Sequence, residues 1–267
     1  MVVESKSSWL NQIIFRNSVV LEISIRRFLT DKKTFLLAIV GLLPTILAFL
    51  WSNSKNWNAD ILEFRNDFIT LVDGMYVTWI ILLFCLIFAI SALKDEEESK
   101  TLSYLLTRPL RRFEIYITKF IAFEVVAIFL AMICMLPSYL IMALGRSIET
   151  IFTEFSLFLG ASFVVIVEIT FYGAIFMLLS VLLSNPLIPA LLLGFFERLL
   201  TGVLAIINLG PFTPYFHLAT IGNALIPYGP YITESTSTGF QSLLLLSLIS
   251  AAAIFVGLIR MKDKDFP

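Results

Sequence analysis

Six apolar runs set the limits on what this chain can become: Phe35–Trp51, Val72–Leu93, Ile115–Leu144, Ile151–Leu183, Leu187–Leu209 and Phe240–Ile259. A helix that crosses a bilayer needs about 20 mainly apolar residues. The first run is short but can extend backward into the N-terminal segment. The third and fourth are longer than a bilayer requires, so they tilt or extend past it. Ser184, Asn185 and Pro186 form the tightest break and read as a hairpin turn. The expected fold is an all-α integral membrane protein with six transmembrane helices. Composition agrees: 58% of residues are hydrophobic and 15% charged, against about 45–50% and about 25% in soluble domains. Cys85 and Cys134 both fall inside runs and read as small buried hydrophobes. They form neither a disulfide framework nor a metal spacing. The first ten residues lack a basic stretch leading into an apolar core, so no cleaved signal peptide is expected.

Charge bias orients the runs. The segments before the first run, between the second and third, and after the last hold, together with Lys119 in the opening turns of the third run, 15 of the 19 basic residues. Lys55, Arg65 and Arg146 fall on the opposite side, and Arg198 lies inside the fifth run. An even number of spans places both termini on one side, the cytoplasmic one, in a cell membrane. Residues 8–33 mix Trp9, Leu10, Ile13, Val20 and Phe28 with Arg16, Arg26, Arg27, Lys32 and Lys33. That pattern reads as a basic amphipathic helix lying in the membrane interface and touching lipid. On the outer side, 52–71 reads as a polar loop and 145–150 as a short turn. Residues 210–239 carry four prolines, several aromatics and the sole histidine, His217. They are too Pro-rich for one regular helix and read as short elements capping the outer end.

Catalytic signatures are missing. There is no P-loop run, no H-E-x-x-H and no G-x-S-x-G. Aspartate is absent from the interior of the runs, which leaves an intramembrane aspartyl pair unsupported. Four charged residues lie inside them, away from the run ends: Glu124, Glu168, Glu197 and Arg198. A charge in hydrocarbon costs at least about 2.5–3.5 kcal/mol on insertion scales, so each must meet protein, water or the interface. Glu124 is close enough to the cytoplasmic end to extend toward water. Glu168 is mid-run and is expected in a polar cavity or a hydrogen bond across an interface, a candidate for the transport path. Glu197 and Arg198 are neighbours in sequence, and neighbours do not face each other on a helix. Each is therefore expected to find a partner on another helix or at a dimer interface.

The segment between the second and third runs is the most charge-dense in the chain. Asp95, Glu96, Glu97 and Glu98 come first, then Thr101, Leu102, Leu105, Leu106 and Thr107. Acidic residues suit a helix N-terminus, and the leucines give a short helix an apolar side. Pro109 stops it. Arg108, Arg111 and Arg112 come next, before a new helix begins near Phe113.

This pattern resembles the cytoplasmic region of ABC-2 type transporter permeases. Glu97 and Glu98 stand in the acidic stretch, and Thr101 and Leu102 match a Thr-Leu pair. Leu105, Leu106 and Thr107 match a further Leu-Leu and a small hydroxyl residue. Pro109, Arg112, Ile115 and Lys119 complete the pattern, while Lys100 stands where the family carries Gly. The resemblance covers the chain in outline. It implies residues 1–33 as tail and interfacial helix, 34–260 as the transmembrane domain, and 261–267 as a cytoplasmic tail. Within the domain it implies a coupling segment at 94–114 and an external gate-like segment at 210–239. The short helix at Thr101–Thr107 would dock on a separate ATP-binding subunit, approached also by the Ser184–Leu187 turn. The implied assembly is two ATP-binding subunits with two permease copies, or with one copy and a related permease. ATP and Mg would be held by the partner, with no cofactor in this chain and no enzyme activity of its own. Export is the expected direction, and nucleic acid is not an expected partner. Two other classes fit the runs: an ATP-independent carrier, which would need a broken helix or internal repeat, and a non-transporting structural or regulatory subunit. The cargo is not legible, because aliphatic and aromatic side chains line every run.

Overall fold

The computed structural model describes residues 18–54, 61–98, 112–206, 210–226 and 237–263. Every regular element among them is helical. Residues 18–30 form α1, and Asp31 ends it by capping the next helix, its carboxylate accepting from the Lys33 N–H at 3.1 Å. α2 (Lys32–Gly41) and α3 (Leu43–Ser54) come next, almost in line. α4 (Ile61–Leu71) runs through a π-helical stretch, Val72–Ile80, into α5 (Ile81–Glu98). α6 spans Arg112–Arg146, α7 Ile148–Thr153, α8 Phe155–Leu182 and α9 Leu187–Ile206. A 3-10 turn at Gly210–Phe212 precedes α10 (Pro214–Leu225), and α11 (Gly239–Asp263) closes the described chain.

Five helices are long and apolar enough to cross a membrane: Lys32–Asn53, Ile61–Asp95, Arg112–Arg146, Phe155–Leu182 and Gly239–Lys262. The fifth run also folds as a helix, the 20-residue α9, which is not among those five. The second and fourth apolar helices form the centre, with 72% and 67% of their apolar windows buried, against 28% for the first and the last. The peripheral helices expose Phe35, Leu36, Phe49, Leu50, Leu248 and Phe255. Such a continuous apolar surface suits lipid contact rather than water.

Two segments between the runs differ from the sequence reading. The loop expected at 52–71 is helical from Ile61 and continuous with the second span. Glu63, Arg65, Asn66 and Asp67 dilute its hydropathy, yet Phe64, Phe68 and Leu71 recur at helical spacing and are buried. The turn expected at 145–150 is confined to Ser147, whose hydroxyl caps α7 by accepting from the Thr150 N–H at 3.3 Å. α7 then ends at Glu154, which accepts a two-pronged pair from Arg65 at 2.7 and 2.8 Å. That pair ties α4 to the start of α8.

The π-stretch and Pro137 belong together. Pro137 lies inside α6 and deprives the Ile133 carbonyl of its helical donor. Next to it, the Tyr76 hydroxyl of the π-stretch donates to the Cys134 carbonyl at 2.7 Å and meets Ser138 Oγ at 2.8 Å. Ser138 is bonded in turn to Thr45 Oγ1 of α3 at 3.0 Å. Neighbouring helices thus supply hydrogen bonds around an irregular backbone, as the membrane interior requires.

α6 and α8 approach closely at Gly173, where an added Cβ would lie 2.2 Å from the Phe123 ring. Phe123 is fully buried and has little room to yield. Gly173→Val is therefore expected to lower stability by about 1–3 kcal/mol through overpacking. Thermal unfolding in detergent, combined with size-exclusion recovery, checks this; recovery equal to wild type would contradict the close packing.

Candidate buried ionic site

α8 places Glu168 and Tyr172 four residues apart, so both side chains leave the same face. α9 packs across that face. Its approach is set by Gly194, where an added Cβ would meet Leu82 of α5 at 2.8 Å, and by Phe195 against Trp79 at 5.4 Å. The result brings Glu197 and Arg198 onto α8. Arg198 Nη2 donates to Glu168 Oε1 at 2.5 Å, and Arg198 Nε lies 3.7 Å from Glu197 Oε2. Tyr172 donates its hydroxyl to Glu197 Oε2 at 2.7 Å.

α10 completes the group from outside the spans. Its N-terminus is capped by Thr213, and the Tyr215 N–H in its first turn donates to Glu197 Oε1 at 3.2 Å. A carboxylate at a helix N-terminus is favoured by the free amides and the helix dipole. The Tyr215 hydroxyl donates to Asp73 Oδ2 in the π-stretch at 2.6 Å. Burial, with the Asp73 charge beside it, holds the Tyr215 phenol well above its usual range, so it remains a donor. The Arg198 guanidinium is stacked against two rings, with its Cζ 4.7 Å from the Tyr215 centroid and 5.5 Å from that of Tyr172. Asp73 corrects the sequence reading, which places no aspartate in the interior of a run because its second run begins at Val72. With the helix starting at Ile61, Asp73 is internal.

Glu197 and Arg198 have partners on other helices, Tyr172 and Tyr215 for one and Glu168 for the other, but against the sequence expectation they also approach each other to 3.7 Å. Fully ionised, the group would set three carboxylates against one guanidinium. Asp73 Oδ1, Glu168 Oε2 and Arg198 Nη1 are buried without a hydrogen-bond partner among the described residues. Such an excess of one sign is costly in a low dielectric, and the arrangement can take up positive charge. Glu124 stands apart. Instead of extending to water, its Oε2 accepts from Thr170 of α8 at 3.3 Å and its Oε1 is buried.

The sole histidine is a tie rather than a ligand. His217 Nε2 donates to the Pro211 carbonyl at 2.9 Å, and Nδ1 meets Ser242 Oγ at 3.1 Å. It fastens α10 to the turn before it and to α11. No group of three or more His, Cys, Asp or Glu suited to a metal occurs among the described residues.

Most of the expected coupling residues, Thr101, Leu102, Leu105, Leu106, Thr107 and Pro109, lie outside the described residues. Glu97 and Glu98 end α5, and their side chains are likewise outside the description. Arg112 opens α6 and donates to the Lys262 carbonyl at 3.1 Å, near the end of α11. Lys33, Lys94, Asp95 and the turn residues Ser184–Leu187 line one cavity of about 600 Å³. The end of α5 that leads into 99–111 thus lies beside the α8–α9 turn.

No curated protein matches this sequence. Residues 10–265 match the family described as ABC-2 family transporter protein. That match takes in every helix described above, and the chain belongs to the ABC-2 transporter family.

Proposed function

We propose that this chain is the permease subunit of an ATP-driven transporter working as an exporter, with hydrolysis carried out by a separate ATP-binding subunit. α9 completes a set of six spans, α1 lies along the cytoplasmic interface, and both termini are cytoplasmic. Two ATP-binding subunits, holding ATP and Mg, serve a pair of permeases, either two copies of this chain or one copy with a related permease. Glu97, Glu98, Thr101, Leu102, Leu105, Leu106, Thr107, Pro109 and Arg112 belong to the docking segment.

The observation that carries this reading is the shared cavity wall of the α5 end and the Ser184–Leu187 turn. Two separate polar elements at one end of the bundle can meet one partner together, and a rigid contact of that kind suits force transmission. The buried ionic site fits the opposite role. Glu197, Arg198 and Asp73 hold Tyr215, so α10 is fastened to α9 and to the second span, and through the Arg198–Glu168 pair it is linked to α8. Movement of those segments would be felt directly at 210–239, the proposed external gate.

The test is ATP hydrolysis by the full chain, purified alone and with the P-loop protein that co-elutes with it. Hydrolysis should be absent from the chain alone and present in the complex. Hydrolysis by the chain alone, or no P-loop protein at all in the eluate, would contradict the reading.

A further inference from the structure

The cavity at the α5 end has a graded lining. Lys33, Lys94 and Asp95 stand at its polar end, and Leu86, Ile87 and Ile90 line the wall of α5 below them. From Lys94 to Leu86 is eight helical residues, about 12 Å along the axis. The polar groups therefore sit at the level of helix ends, and the apolar wall descends two turns toward the bilayer core. The first turn of α9 borders the polar end, and there Leu187 and Ile188 are 52% and 64% exposed, so the slot opens outward beside that turn.

Two features favour an anion at the polar end, and the volume suits a small organic group. Two lysines and one aspartate line it, a net excess of one positive charge, with Lys33 ion-paired to Asp95 at 2.7 Å and Lys94 buried. α9 also begins here; Pro189 has no N–H and the Ala190 N–H donates to the Pro186 carbonyl at 3.0 Å, so the opening amides without an intrahelical acceptor are those of Leu187 and Ile188. Its dipole therefore presents partial positive charge to the same space. The volume of about 600 Å³ is within the range that encloses a small organic ligand, about 300–1,000 Å³.

We propose that this slot binds an anionic phospholipid from the bilayer. The phosphate sits among Lys33, Lys94 and the first turn of α9, and one acyl chain lies along Ile87 and Ile90. The slot joins α2, α5 and the α8–α9 turn, so a bound lipid holds the segment leading into 99–111 against that turn.

The test is native mass spectrometry of the full chain released from nanodiscs holding equal phosphatidylglycerol and phosphatidylcholine of identical acyl chains. Wild type should retain phosphatidylglycerol in preference, and Lys94→Gln should weaken that preference about fivefold, the effect of one lysine near an anionic surface. Lys262→Gln, with the same charge change on α11, should leave it unaltered. If Lys94→Gln does not fold, Lys33→Gln on the more exposed side should give the same loss. Equal retention of the two lipids, or a preference that survives both lysine changes, overturns the proposal. Inorganic phosphate is added in a further arm. Displacement of the bound lipid by millimolar phosphate alone would mark the site as one for free anions and would also overturn it.

Discussion

Replacing Arg198 with methionine is expected to destabilise the bundle by about 3–5 kcal/mol, the usual consequence of removing one partner from a buried ion pair. Among the described residues, Arg198 is the cation that faces Glu168, Glu197 and, through Tyr215, Asp73. Without it Glu168 loses its ion-pair partner, and the rings of Tyr172 and Tyr215 lose the guanidinium between them. Adding Glu168→Gln should restore a large part of the loss, since an amide tolerates isolation better than a carboxylate. Arg198→Lys should fall between, because the ammonium keeps the charge but lacks the planar fork. Thermal unfolding of the three variants in detergent decides it. Wild-type stability in Arg198→Met, or no recovery in the double variant, would contradict the pairing.

The five long apolar helices are legible because run length in hydrocarbon leaves few options. The reading falls short where local composition and packing pull apart. Residues 61–71 look like a loop by hydropathy, and only the spacing of Phe64, Phe68 and Leu71 discloses the helix. Asp73 is lost with that boundary. The π-helical backbone that presents it has no composition signature at all. Glu168, Glu197 and Arg198 stand out because each is anomalous in its run, and Tyr172 could be added from its four-residue spacing to Glu168. That the four meet depends on how closely α9 crosses α5 and α8, which Gly194 permits and no single segment encodes. Tyr215 comes from a Pro-rich stretch whose start as a helix rests on the Thr213 cap.

In the proposed function, a separate ATP-binding subunit drives this chain through its 94–114 segment. The short helix expected at Thr101–Thr107 offers Leu102, Leu105 and Leu106 as its apolar side. Two carboxylates placed in an apolar docking groove would each be desolvated without a partner, at several kcal/mol together. A loss of that size lowers affinity by about a hundredfold or more, since about 1.4 kcal/mol is tenfold. The change leaves every residue of the buried ionic site in place, so the permease itself should fold and reach the membrane as before.

The deciding measurement is affinity capture of the full chain, wild type against Leu105→Glu/Leu106→Glu, with the co-eluting P-loop subunit quantified relative to the permease. Stoichiometric capture by wild type and its loss in the variant, at unchanged permease yield, is the predicted result. Equal capture by both would contradict a drive through this segment.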